Sequence, residues 1–236
     1  MKKISVIVFV MLVGCAQQID LQNPLQKELS LNYADKKLND TRFYAFQQKC
    51  TKEIEKINQN HDDQKKEWMK TLTAEGEQYF ILNWKFLKEK YGKYLSKAYN
   101  DWLIHLDQTE KIVDDAALRI DHDQLRVYLI ELENFIDKNP DFIAIKEVKA
   151  RLNWYLMIYL SGLDNSPIYD KYGNLFMLQD VKLSYEKFLS ENSSSKYLPL
   201  VKKLYETAKK YNFKWNTQIE KWFSEFYQKN LASLLK

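Results

Sequence analysis

The 236-residue sequence predicts an all-α fold, a bundle or array of helical hairpins with one irregular loop or short β-ribbon near 164–177. Three observations carry that prediction. Apolar residues recur at steps of three and four along most of the chain, the spacing of one helix face. Glycine and proline are scarce, at five and four, too few for a glycine-rich phosphate loop or the turns of a many-stranded sheet. Apolar residues make up 45% and aromatics 14%, which suits a packed core and not a disordered chain.

The elements follow in order. Phe43, Phe46, Cys50, Ile54 and Ile57 share one face of a helix that starts at an Asp40 or Thr41 cap and runs to Leu72. A second helix covers Glu75 to Lys90, with Tyr79, Leu82, Phe86 and Leu87 inward. A third runs from Lys93 to Arg119 through Leu95, Tyr99, Trp102 and Leu106. The fourth, Asp123 to Lys138, turns Leu125, Leu129, Leu132 and Phe135 or Ile136 inward and is broken by Pro140. Ile145, Val148, Leu152, Tyr155 and Tyr159 define a fifth, stopped by Gly162. Three more span Leu178–Glu191, Tyr197–Tyr211 and Thr217–Leu235, the last with Ile219, Trp222, Phe226 and Leu234 on one stripe.

Between the fifth and sixth helices, Asn165-Ser166-Pro167 and Asp170-Lys171-Tyr172-Gly173 are turn clusters flanking Ile168-Tyr169 and Leu175-Phe176-Met177. A loop held between helices is the place to expect a binding surface. Asp164, Asn165, Tyr169 and Tyr172 are therefore candidate partner-binding residues. Phe213 and Trp215 join them, because they sit in a lysine-rich turn and are expected to be exposed. The other tryptophans fall mostly on inward stripes and read as core.

The N-terminus reads as a targeting segment. Lys2 and Lys3 precede ten nearly unbroken apolar residues, Ile4 to Val13, which reach only about half of a ~30 Å hydrocarbon core. Residues 1–14 are thus a signal peptide, followed by a polar tether over 15–39 and a helical domain over 40–236. Leu12-Val13-Gly14-Cys15 resembles the bacterial lipobox. The resemblance implies cleavage before Cys15, diacylglycerol on its thiol and acylation of its amine, a stable membrane anchor. Ala16 in place of an Asp resembles lipoproteins sent to the outer membrane, facing the periplasm if the cell is Gram-negative. With Cys15 lipidated, Cys50 is the one remaining thiol, expected in the core.

An internal echo links Glu133–Pro140 to Glu186–Ser193, with Val148 and Val201 at the same offset of 53. Tyr185-Glu-Lys-Phe-Leu through Asn192-Ser-Ser-Ser-Lys-Tyr197 resembles the hairpin turns of tetratricopeptide-like outer-membrane lipoproteins, although that family repeats every ~34 residues. The resemblance implies an array of helical pairs.

Nothing in the sequence spells a reaction. His61, His105 and His122 form no His-Glu-x-x-His segment, and the Cys spacing suits no zinc site, so neither metal nor cofactor is expected. Asp121-His122-Asp123 reads as solvated helix-capping residues. No Gly-x-Ser-x-Gly elbow is present. Residues 101–141 hold 11 acids and 4 bases, whereas 182–236 hold 11 bases and 5 acids. These read as solvated helix faces packed on each other, or as a field that steers an anionic partner. Four arginines and an export signal argue against nucleic acid. The expected role is a non-catalytic, lipid-anchored adapter for an envelope protein. An immunity or inhibitor lipoprotein against an envelope-targeting toxin, and a small-ligand binder or enzyme without a recognisable motif, are the alternatives.

Overall fold

The computed structural model describes residues 29–31, 33–60, 65–74, 77–170 and 173–234; the stretch expected to be a signal peptide, Cys15 and most of the expected tether lie outside them. Eight helices and three two-stranded ribbons make up the described chain. None of its helices is long and apolar enough to cross a membrane.

Helix α1 (Lys36–Gln59) starts ahead of the expected cap. The Asp35 carboxylate accepts the Leu38 N–H at 2.9 Å, while Asp40 turns inward and accepts the Ser96 N–H at 2.9 Å. The ordered body also reaches back before residue 40, because Leu29 is buried against the core. The expected stripe, Phe43, Phe46, Cys50, Ile54 and Ile57, is buried throughout.

The helix does not continue to Leu72. Met69–Ala74 (β1) and Glu77–Leu82 (β2) form an antiparallel hairpin, Met69 opposite Leu82 and Ala74 opposite Glu77. Thr71, Thr73, Tyr79, Phe80 and Ile81 are strand-favouring residues, and β2 is pinned to α1 by the Asn58 side chain. That amide donates to the Phe80 carbonyl at 2.9 Å and accepts the Phe80 N–H at 2.8 Å. The predicted second helix is thus shortened to α2 (Trp84–Tyr91), capped by Asn83. The third begins at a Ser96 cap as α3 (Lys97–Gln108) and stops well short of Arg119. A tight ribbon, Val113–Asp114 (β3) and Ala117–Leu118 (β4), takes its place, turning through Asp115 and Ala116 at φ 48° and 51°. Two left-handed residues in a row match the twist of a two-residue hairpin.

From there sequence and structure agree closely. Helices α4 (His122–Lys138), α5 (Ile145–Ser161), α6 (Gln179–Glu191), α7 (Leu198–Lys210) and α8 (Thr217–Leu234) lie within a residue or two of their expected bounds. The 53-residue echo is realised in the backbone. Asn139 and Asn192 each donate to the carbonyl four residues back, Phe135 and Phe188, and each accepts from the residue three ahead, Phe142 and Ser195. Ile145 and Leu198 then repeat the pattern onto Phe142 and Ser195. Val148 and Val201, at the same offset, are both fully buried.

The two hairpins α4–α5 and α6–α7 stack, α4 against α6, with α8 lying on α5 and α7. Glu133 stitches one hairpin to the other, its carboxylate accepting the Ser195 hydroxyl at 2.7 Å and the Lys196 N–H at 2.6 Å. The acidic and basic segments meet here: Asp123 pairs with Lys187 at 2.9 Å, Asp137 with Lys196, and Arg126 with Glu191 at 3.1 Å. Two acids of the acidic segment are thus paired with lysines of the basic one across the helix faces.

Gly162 closes α5 at φ 71° and opens the ribbon Gly162–Leu163 (β5) with Ser166–Pro167 (β6). A Cβ there would meet the Ser166 carbonyl oxygen at 2.6 Å and the Ile168 nitrogen at 2.9 Å. Gly162→Ala is expected to cost about 2 kcal/mol or more, since both the left-handed backbone and the close approach oppose it. An unchanged melting midpoint would show that this turn relaxes freely.

Candidate functional site

The segment after β6 folds back on itself. Tyr169 bridges Met177, the Asp170 N–H donates to the Phe176 carbonyl at 2.9 Å, and the Leu178 N–H donates to the Ile168 carbonyl at 3.0 Å. The Asp170 carboxylate closes the tip by accepting the Gly173 N–H at 2.9 Å. The turn between α7 and α8 then docks along this loop. Met177 donates to the Phe213 carbonyl and Trp215 to the Leu175 carbonyl, both at 2.8 Å, and Phe176 bridges Lys214. Leu175, Asn212 and Phe213 adopt left-handed backbone at φ 59°, 52° and 59°. Asn tolerates that conformation; Leu and Phe do so at a cost that the surrounding hydrogen bonds must offset.

A cavity of about 290 Å³ opens beneath this junction, lined by Ser161, Pro167, Ile168, Tyr169, Leu175, Trp215 and Phe223. Its walls are aromatic. Tyr169 meets Trp215 edge-on at 5.1 Å, and Trp215 stacks on Phe223 at 5.6 Å with 17° between planes. Tyr169 is 5% exposed, and its buried hydroxyl has no hydrogen-bond partner among the described residues. Burial pushes its pKa up, so the hydroxyl keeps its proton and remains a donor. An unmade buried hydrogen bond is costly, and such a group is unusual in a core.

The loop and the α7–α8 turn that cover the cavity also carry exposed apolar side chains with lysines beside them, of which Leu175 alone lines the cavity. Leu175, Phe176 and Tyr211 are all exposed. Lys182 Nζ lies 4.4 Å from the Phe213 ring, Lys210 Nζ 5.6 Å from Tyr211 and Lys214 Nζ 5.9 Å from Phe176. Larger hollows lie between α3 and α4 and beside the exposed Trp154, which is the tryptophan that departs from the core expectation. Neither includes a residue expected from sequence to bind a partner.

The expected contact residues separate into two groups. Tyr169 and Trp215 come together in the cavity wall although 46 positions apart. Trp215 and Phe213 are half-buried rather than exposed, because the turn that carries them is pulled onto the loop; Phe213 packs on Tyr205 at 5.4 Å. Asp164 and Asn165 are exposed at the far end of the loop, where Asn165 ties β5–β6 to the β3–β4 ribbon. Its side chain donates to the Asp115 carbonyl at 2.6 Å and its N–H to the Ala116 carbonyl at 3.0 Å. Tyr172 lies outside the described residues. Phe223 and Leu175 were not anticipated; Phe223 flanks the α8 stripe next to Trp222, and nothing local marks it as a wall of a cavity.

Two histidines need correction or placement. Asp121 caps α4 as expected, but His122 is buried, not solvated: its ring stacks on Tyr159 at 4.5 Å and its Nε2 has no partner among the described residues. Burial lowers its pKa to about 4. His105 is buried as well, Nε2 lying 3.1 Å from the Tyr155 hydroxyl, and burial with the nearby Arg151 lowers its pKa to about 3. His61 falls outside the described residues. Cys50 is fully buried, and desolvation raises its thiol to about 12, so it is inert. Among the described residues no three His, Cys, Asp or Glu side chains converge as a metal site. Set beside known protein families, curated proteins and solved structures, the chain matches none.

Proposed function

We propose that this is a lipid-anchored protein of the cell envelope that binds another envelope protein and holds it near a membrane, without catalysing a reaction. The observation that carries the reading is the set of exposed apolar side chains on two segments hydrogen-bonded to each other. Leu175, Phe176 and Tyr211 are exposed together where a hydrogen-bonded loop meets the α7–α8 turn, at the end of a stacked helical array. Exposed apolar side chains on a rigid support, ringed by cations, suit a protein contact better than a solvated surface. The lipobox-like Leu12-Val13-Gly14-Cys15 supports the anchor. Anchoring raises the effective concentration of a weak contact without any new interaction.

Cross-linking in cells followed by affinity capture tests both halves. Cys15→Ser is expected to release the protein from membranes and reduce capture. Phe176→Asp is expected to keep anchoring and fold while lowering capture by about tenfold, the typical effect of losing one apolar anchor. Equal capture by Phe176→Asp, or no recurrent partner for the anchored wild type, would overturn the reading.

A further inference from the structure

We propose that β1 is a dimerisation edge. A second copy of this chain adds its own β1 antiparallel to the first, joining two hairpins into one four-stranded sheet with the two-fold axis at Leu72. This goes beyond the adapter reading and does not rest on it, since the exposed apolar residues of that reading lie on the loop and the α7–α8 turn, not on this hairpin.

The backbone of β1 selects a strand as its occupant. In an antiparallel pair, opposed residues alternate between exchanging both hydrogen bonds and turning both groups outward. Phe80 has its N–H and its carbonyl engaged by Asn58 of α1, so Phe80 and the opposed Thr71 are an outward pair. Two residues along, Thr73 opposite Gln78 is outward as well. In this two-stranded sheet β2 therefore faces α1, and β1 turns the N–H and C=O of Thr71 and Thr73 to its other side. These four groups have no protein partner among the described residues, and both threonines are exposed. Proteins blunt such edges with proline, a bulge or a free lysine. Here the register has no bulge, the strand has no proline, and Lys70 is on the opposite face, held by Glu110 at 2.6 Å and Asp107 at 3.4 Å.

The register then selects a second copy. With the axis at Leu72, Thr71 of each chain lies opposite Thr73 of the other, and every free N–H meets a free carbonyl. Leu72 meets Leu72, Lys70 meets Ala74, and no like charges are opposed. Threonine opposite threonine is a favourable cross-strand pair. Moving the axis to Thr71 would set Thr73 against Met69, whose N–H is already taken by the Lys66 carbonyl at 2.9 Å. Moving it to Lys70 would set lysine against lysine. The strand is thus complementary to itself in one register.

The test is sedimentation equilibrium of the full chain carrying Cys15→Ser, from about 1 to about 100 µM. A reversible monomer–dimer equilibrium is expected. Thr71→Lys with Thr73→Lys puts like charges opposite each other at both threonine pairs and should weaken the dimer by about tenfold. Thr71→Lys with Thr73→Glu puts opposite charges at the same pairs and should restore the dimer to wild-type strength or better. Both positions are exposed, so each variant should keep its melting midpoint within about 2 °C of wild type. A wild type that stays monomeric throughout, which would leave the edge for a strand of another protein, overturns the proposal. So does a folded double-lysine variant that dimerises as well as wild type, or a lysine–glutamate variant no tighter than the double-lysine one.

Discussion

Glu133→Ala is expected to lower the melting midpoint by about 5–10 °C. Glu133 is 6% exposed, and its carboxylate accepts both the Ser195 hydroxyl and the Lys196 N–H in the turn of the α6–α7 hairpin. Alanine would leave a partly buried backbone N–H and hydroxyl unmatched, at a cost of about 2–3 kcal/mol, and each kcal/mol moves the midpoint of a chain this size by roughly 2–4 °C. Glu133→Gln retains one acceptor oxygen and should recover about half of the loss. Thermal denaturation of the two variants beside wild type checks this. A drop below about 1 °C for alanine would mean that apolar packing around Val148, Phe188 and Val201 holds the hairpins together unaided.

Acidification should destabilise the fold before its carboxylates titrate. His105 and His122 have folded-state pKa values of about 3 and about 4, both below the ordinary imidazole value of 6.5. Between these limits the unfolded chain binds protons that the folded chain refuses, so stability falls as pH drops from about 6.5 and levels near 3–4. At about pH 4.5 the expected loss is roughly 2 kcal/mol for each histidine. For His122 the physical reason is a ring stacked on Tyr159 whose Nε2 has no acceptor; Asp180, Asp121 and Asp123 oppose the effect without cancelling it. His122→Phe should remove about half of the pH dependence. Urea midpoints of wild type and variant, compared near neutrality and at about pH 4.5, decide it: parallel lines would assign the acid sensitivity elsewhere. Asp123, held below its usual pKa by Arg126 and Lys187, adds a further loss only at lower pH.

The helices from α4 onward were legible because their signals are local. Asp121 caps, Pro140 and Gly162 stop, and the apolar steps between them follow one period. The hairpin β1–β2 was not, because Tyr79-Phe80-Ile81-Leu82 is a short apolar run that fits a buried helix as well as a strand. What selects the strand is the amide of Asn58, some twenty residues earlier, offering both a donor and an acceptor to Phe80. Asp40 tells the same story in reverse: its composition suits a cap, but Ser96, 56 positions away, claims its carboxylate.

The candidate site divides along the same line. Turn residues around Tyr169 and the lysine-rich turn around Trp215 can be picked out one at a time, since Pro, Gly and Asp punctuate the chain locally. Their meeting cannot, because it depends on the Trp215 N–H finding the Leu175 carbonyl and on α8 bringing Phe223 beneath both. Nor can the loss of exposure at Phe213 and Trp215, or the burial of His122 against Tyr159. Periodicity and capping are properties of neighbours in the chain, and they establish the helices and the 53-residue echo. Burial, unmatched polar atoms and cavities arise from residues far apart in sequence, each with several partners it could take, and the packing of α5, α7 and α8 against the loop settles which one it has.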